Sequence, residues 1–290
     1  MKDYLKLIRI KHWLKNTLVF LPTVFGGKLL EPKIFFVALV GMVVFSLLSS
    51  AIYVHNDIQD IESDKKHPLK KKRPLPSGKI SISNAKIIRN ILLIFTIVLS
   101  FALYKNIKNI YSLIIPLIYL IINIMYSKGL KNIAIIDVLI IAIGFLLRVL
   151  YGSSITNIEM SNWLYLMILS GSFYLGFGKR RNEIIKNGNN SRKVLKSYSK
   201  EFLDKNMHNC LTFSIVSYSM WATDTNVINR IGNNYLIWTI PLIMVILMLY
   251  SLEIENDSYG DPVEVITNNK KILISIIIYC ITTFSILYLL

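Results

Sequence analysis

The chain has 290 residues, 53% of them hydrophobic and only 17% charged, with a mean hydropathy of +0.50. Such a balance excludes an ordinary water-soluble enzyme, because apolar runs of about 18 residues or more recur, the length needed to cross a bilayer. The 33 Lys and Arg against 17 Asp and Glu give a net charge of +16, which suits anionic headgroups or phosphorylated substrates; the spanning runs set aside nucleic acid as the partner.

In chain order, apolar runs bounded by charges predict spans near 14–30, 34–55, 86–104, 109–127, 133–155, 161–178, 206–222, 235–252 and 271–290. The expected fold class is all-α: a polytopic membrane protein of nine transmembrane helices, in one domain over residues 1–290. Residues 1–15 carry five basic residues and no small-residue cleavage site follows the first run, so the first helix is expected to be retained rather than removed as a signal peptide. Twenty-five basic residues fall in 1–15, 57–84, 128–132, 179–205 and 253–271, whereas the opposite loops carry only Lys28, Lys33, Lys105, Lys108 and Arg230. By the positive-inside rule this predicts an integral cell-membrane protein with a cytoplasmic N-terminus and an external C-terminus, its two long loops both cytoplasmic. Cys210 and Cys280 stand alone in apolar runs and read as packing residues, not as a disulfide or zinc site.

Directly after the second run comes His55-Asn56-Asp57-Ile58-Gln59-Asp60-Ile61-Glu62-Ser63-Asp64. At about 100° per residue, Asn56, Asp57, Asp60 and Asp64 share one helical face within roughly a 100° arc. Three carboxylates gathered at a membrane boundary repel one another unless a cation holds them, and Mg²⁺ is commonly held by one or two carboxylates plus substrate phosphate. A solvated helix whose acids pair with nearby lysines is the competing reading. Lys65, Lys66, Lys70, Lys71, Lys72 and Arg73 follow at once, then Pro74-Leu75-Pro76-Ser77-Gly78. Metal ligands, a cationic loop and an apolar wall together suit a phosphorylated substrate, although the basic run also fits a simple anchor to anionic lipid.

The Asn56-Asp57-x-x-Asp60-x-x-x-Asp64 pattern, the closing Arg73-Pro74-Leu75-x-Ser77-Gly78 and the nine predicted helices resemble the UbiA-type intramembrane prenyltransferases. The resemblance covers essentially the whole chain. It implies a cytoplasmic active site in which Asp57, Asp60 and Asp64, with Asn56, hold Mg²⁺ and a diphosphate, and a cleft among the helices for a lipid chain. Most members carry a second DxxxD motif in the next long cytoplasmic loop. Here that place reads Gly178-Lys179-Arg180-Arg181-Asn182-Glu183, so the local charge is inverted and the ligand should be a bare anion.

That string, the opening Arg9-x-x-x-Trp13-x-Lys15-Asn16 with Pro22 beyond it, and Tyr126-Ser127-x-x-Leu130-Lys131 with Asp137 resemble one branch, the decaprenyl-phosphate phosphoribosyltransferases. The branch implies a phosphoribosyl diphosphate (PRPP) donor and a polyprenyl phosphate acceptor. The donor's diphosphate would go to the aspartate face and its 5-phosphate to Lys179 and Arg180. Lys15, Arg73, Lys128 and Lys131 are candidates for the acceptor's phosphate, and Asn16 and Tyr126 are further candidates for substrate contact. A lipid phosphate is already ionised near neutral pH, so His12, His55, His67 and His208 are not needed as bases. The oligomeric state is left open, a homo-oligomer included.

Two charged features remain. Arg148 lies about 16 Å beyond Asp137 along a helix, which favours a structural partner or a snorkelling side chain over a catalytic part. The acidic stretch 253–261 is interrupted by Gly260 and followed by Pro262, which favours a solvated loop. A conventional family member that prenylates an aromatic acceptor is the nearest rival, and the missing second DxxxD counts against it. A lipid or small-molecule transporter would carry its charges near the midplane, whereas nearly all charges here sit at the predicted cytoplasmic boundary.

Overall fold

A computed structural model describes residues 2–66, 70–188, 192–255 and 262–290; His67 and most of the acidic stretch, 256–261, lie outside the described residues. Among the described residues there are helices and turns and no strand. In chain order they are α1 (Lys2–Leu7), a 3-10 segment (Ile10–Phe20), α2 (Leu21–Phe25), α3 (Pro32–Gln59), α4 (Ile61–Lys66), α5 (Ile82–Ile107), α6 (Tyr111–Lys128), α7 (Ile136–Thr156), α8 (Asn162–Asn187), α9 (Lys200–Ala222), α10 (Thr225–Ile231), α11 (Ile240–Glu255), α12 (Pro262–Asn268) and α13 (Lys270–Tyr288). Six segments among the described residues are long and apolar enough to cross a membrane: α3, α5, α6, α7, Tyr235–Glu255 and α13. The predicted spans 161–178 and 206–222 are present as α8 and α9, but each helix runs on into charged residues.

Residues 14–30 differ most from expectation. Apolarity predicts a spanning α-helix, but the chain forms the 3-10 segment followed by only five α-helical residues. The reason lies in its side chains. Trp13 Nε1 donates to Ser50 Oγ at 3.0 Å, and Asn16 Nδ2 donates to Ser46 and Ser49 Oγ at 3.0 and 3.3 Å. These tethers hold the segment along the serine-bearing face of α3. Gly152 of α7 completes the seat, since a Cβ there would stand 2.1 Å from the carbonyl oxygen of Val19.

The chain divides into two compact units. The first comprises Met1–Val24, Lys28–Lys128 and Leu147–Ile158. Its inner helix is α3, which packs against α5, α6 and the 3-10 segment. Pro32 stands at the start of α3, where a missing N–H costs nothing. At 28 residues the helix is roughly 42 Å long, more than a bilayer core needs, so its last turns extend past the apolar run with His55, Asn56 and Asp57. Ser81 caps α5 by accepting from the Asn84 N–H, which ends the basic loop and starts the next crossing. Ile94, Phe95, Ile97 and Val98 of α5 are exposed; a contiguous apolar face of this kind belongs against lipid.

The second unit comprises Phe25–Gly27, Gly129–Leu146 and Glu159–Leu290. α8 packs against α9, and α11 against α13. Val138, Tyr174, Phe177, Leu195, Leu203 and Ile254 are among the buried residues of its core. Ser161, Ser199 and Asn269 cap α8, α9 and α13 through their side chains.

Candidate active site

The aspartate face forms as the periodicity requires. Asp57 and Asp64 are buried, Asn56 and Asp60 half-buried, and Gln59, Glu62 and Ser63 exposed. α3 and α4 meet at Asp60 without breaking the helical hydrogen bonds, because Asp60 N–H reaches the Asn56 carbonyl at 2.9 Å and Asp64 N–H the Asp60 carbonyl at 2.8 Å. Glu62, off the face, pairs with Lys65; its carboxyl is held below the usual range by that lysine's hydrogen bond and charge.

The Arg73-Pro74-Leu75-Pro76-Ser77-Gly78 string folds back on this face. Leu75 and Ile80 are buried with Val54, Ile61 and Ala85. Ser77 N–H donates to the Arg73 carbonyl at 3.0 Å, and Gly78, at φ +74°, donates to the Leu75 carbonyl at 3.0 Å; a left-handed residue there favours glycine. The turn puts Arg73 against the acids. Arg73 Nη1 donates to Asp64 Oδ2 at 2.8 Å and to Asp57 Oδ1 at 3.3 Å, and Lys70 Nζ lies 3.6 Å from Asp64 Oδ1.

Sequence reasoning did not assign a site role to Arg9, yet Arg9 Nη2 donates to Asp57 Oδ1 at 2.5 Å and its guanidinium lies 4.7 Å from the Tyr53 ring centroid, one turn earlier on α3. Arg9 adopts a left-handed backbone, φ 53° and ψ 50°, an uncommon conformation for a residue with a Cβ. The Ile8 carbonyl just before it accepts from Ser50 Oγ at 2.8 Å. The available signal was its place at the head of the Arg9-x-x-x-Trp13 string. A cavity of 330 Å³ opens here, lined by Lys6, Arg9, His12, Asp57, Lys72, Arg73 and Pro74.

Two buried carboxylates therefore converge on one guanidinium nitrogen, which marks a place for positive charge. Among the described residues no three His, Cys, Asp or Glu side chains form a ready-made metal cage. Mg²⁺ held by one or two carboxylates, waters and a substrate phosphate needs none. The donor set fits that ion and not an all-protein structural metal.

Of the other predicted residues in this unit, Asn56 Oδ1 accepts from Ser127 Oγ at 2.7 Å, which brings the end of α6 to the end of α3. Tyr126 is half-buried and Lys128 exposed at that end, and Lys15 is half-buried on the 3-10 segment. Asn16 is fully buried. Besides its bonds to Ser46 and Ser49, its Oδ1 accepts from Arg148 Nε at 2.7 Å. Arg148 also donates to Tyr119 OH at 2.9 Å and its guanidinium faces the Tyr119 and Phe45 rings. This arginine is a structural partner, one of the two roles expected of it.

In the second unit Lys131 and Lys179 are half-buried, while Arg180 is 1% exposed. Arg180 Nε donates to Asp137 Oδ2 at 2.5 Å and its Nη1 to Glu183 Oε2 at 2.7 Å. Asp137 also accepts from Tyr198 OH at 2.6 Å, and that hydroxyl accepts from the Ile135 N–H, at a left-handed Ile135 just before α7. Burial, reinforced by the Asp137 hydrogen bond and charge, pushes the Tyr198 phenol up and keeps it a donor. Burial alone would raise Glu183, but Arg180, Arg192 and Lys179 outweigh it and hold the carboxyl low. Arg181 pairs with Asp204.

The sequence model of the UbiA prenyltransferase family matches residues 19–262. The chain belongs to the UbiA prenyltransferase family. It is thus a transferase and an integral membrane protein. It is 30% identical to a decaprenyl-phosphate phosphoribosyltransferase of Mycolicibacterium smegmatis, over 93% of this chain and 87% of that one. It is also 30% identical to an enzyme of the same name from Corynebacterium glutamicum, over 96% and 85%. A UbiA homologue from Archaeoglobus fulgidus, solved with GPP and Mg²⁺, shares the fold with a TM-score of 0.70 over 98% of this chain and 99% of that one, at 19% identity.

Proposed function

We propose that this protein transfers 5-phosphoribose from PRPP to a polyprenyl phosphate and releases diphosphate. The cationic Lys179-Arg180-Arg181 stretch, where a second carboxylate motif would hold another part of a metal-diphosphate cluster, carries this reading. The two relatives that match nearly end to end support it.

Asn56, Asp57, Asp60 and Asp64 are the proposed Mg²⁺ ligands, and bound Mg²⁺ would offset the charge of the departing diphosphate. Arg73, already against two of those carboxylates, would meet the same leaving group. Lys179 and Arg180 would take the 5-phosphate. Arg180 is held by Asp137 and Glu183 and would meet the phosphate without leaving them. Lys15, Tyr126, Lys128 and Lys131 are proposed for the lipid phosphate. Asn16 serves by position, holding the 3-10 segment to Arg148 and α3.

The reaction is a displacement at the anomeric carbon. A phosphate oxygen of the lipid bonds to ribose C1 as the C1–O bond to diphosphate breaks, and the electron pair leaves with the diphosphate. The nucleophile is an ionised phosphate, so no side chain has to remove a proton. The site is cytoplasmic in this reading, within nine membrane-embedded segments around a lipid cleft, with the N-terminus inside; reporters fused in the 179–205 loop and after Leu290 should report opposite compartments. Purified protein given labelled PRPP, polyprenyl phosphate and Mg²⁺ should label the lipid, and EDTA should stop it. An unlabelled lipid under these conditions overturns the proposal.

A further inference from the structure

The cavity beside Asp57 has a charge that the aspartate face does not explain. Lys6, Arg9, Lys72 and Arg73 line it against one carboxylate, and His12 adds an imidazole. The guanidinium side chains of Arg9 and Arg73 are 24% and 35% exposed, while Asp57, which they share, is 5% exposed. The carboxylate thus forms the back of the cavity and the cations its rim. Four like charges around an open space repel one another, and a bound anion removes that cost.

Arg9 is the member most clearly placed for exchange. The Ile8 carbonyl is tied to Ser50, and the Arg9 guanidinium rests on the Tyr53 ring, so its backbone and stem are fixed while its Nη2 contact with Asp57 is half-open to the cavity. A divalent ion on Asp57 would compete with that contact. A phosphate in the cavity would compete with Asp57 for Arg9. Each ligand therefore releases the group the other needs, which couples the two sites.

We infer that Arg9 is an exchangeable counter-ion: it neutralises Asp57 when the cavity is empty and turns to a phosphate group when one enters, a turn that a divalent ion on Asp57 favours, with Lys6 and Lys72 completing the anion site. The inference rests on the proposed function for what carries the phosphate, the donor's diphosphate or the acceptor's phosphate monoester. Its own content is the exchange.

Two separate titrations of the full-length protein in detergent test it, with Mn²⁺ alone followed by electron paramagnetic resonance, and with metal-free inorganic diphosphate or geranylgeranyl phosphate followed by calorimetry. Arg9→Gln should bind Mn²⁺ roughly two- to fivefold more tightly, because a part-buried ion pair no longer competes. The same variant should bind the phosphate probe about tenfold more weakly, the low end for a charge-assisted contact. Loss of diphosphate affinity assigns the cavity to the donor; loss of geranylgeranyl phosphate affinity assigns it to the acceptor. Lys6→Gln, outside the Asp57 pair, should weaken phosphate binding and leave Mn²⁺ unchanged. A general folding defect weakens every ligand, so opposite shifts in one variant separate exchange from damage. Mn²⁺ affinity that falls or stays constant in Arg9→Gln overturns the inference, as does unchanged affinity for both phosphate probes. Neither result depends on whether PRPP is a donor, and failure of PRPP transfer would leave the exchange intact.

Discussion

The molecule contains two arginine–aspartate clusters with different surroundings. In the first unit Arg9 and Arg73 meet Asp57 at the edge of a 330 Å³ cavity, with guanidinium side chains one quarter to one third exposed. In the second unit Arg180 meets Asp137 with both side chains at 1% exposure or less, and Tyr198 and Glu183 complete the set. The partners are alike, but burial assigns them different work. An ion pair at a wet rim can exchange partners at low cost, while a buried pair keeps its partners because separating them leaves a charge without solvent. The first cluster is suited to ligand chemistry. The second holds the start of α7, the end of α8 and Tyr198, which follows the 3-10 turn Lys193–Ser197, in place around the stretch that carries Lys179.

The comparison breaks most visibly at Asp137. Asp137→Asn leaves Arg180 short of its main counter-charge in a dry site and should cost about 3 to 5 kcal/mol, read as a lower unfolding temperature in detergent. Asp57→Asn should do the reverse: stability changes by no more than about 1 kcal/mol, while Mg²⁺-dependent turnover falls by roughly two to three orders of magnitude. Glu62→Gln, exposed and off the aspartate face, should leave turnover within about a factor of two. Equal damage from Asp57→Asn and Asp137→Asn in both assays would erase the distinction between the clusters.

Much of this was legible in the sequence. α5, α6, α11 and α13 follow from apolar length alone, and the period of Asp57, Asp60 and Asp64 against Gln59 and Glu62 was readable at 100° per residue. The missing parts depend on contacts distant in sequence. Nothing near Asp57 announces Arg9, 48 residues earlier, and nothing near Arg148 announces Asn16, 132 residues away. The 3-10 course of residues 10–20 was hidden for the same reason: its apolar composition suits an α-helix, and only the serines of α3 that receive Trp13 and Asn16 show why it is not one. Arg180 was recognisable as a cation in an unusual place, but its burial against Asp137 depends on the packing of α8 beside α7.

A further substitution sharpens the account of how Arg9 is positioned. Gly152→Ala puts a methyl group against the Val19 carbonyl and should displace the 3-10 segment at a cost of about 1 to 3 kcal/mol. Turnover should fall with it, because Arg9 immediately precedes that segment; a destabilised variant with full turnover would detach Arg9 from the chemistry. A narrower effect, confined to one substrate, is expected at Lys179. Lys179→Gln should raise the KM for PRPP about tenfold and leave the KM for the lipid unchanged, with little loss of stability. An equal rise in both would remove Lys179 from the donor site.

The central claim concerns the transferred group, and a competition between donors tests it most directly. Wild-type protein in lipid nanodiscs receives Mg²⁺, equal amounts of PRPP and a prenyl diphosphate, a polyprenyl phosphate and an aromatic acid, and the products are identified by mass. The account predicts polyprenyl phosphate heavier by one phosphoribosyl group and an unchanged aromatic acid. A prenylated aromatic acid with no phosphoribosylated lipid would contradict it.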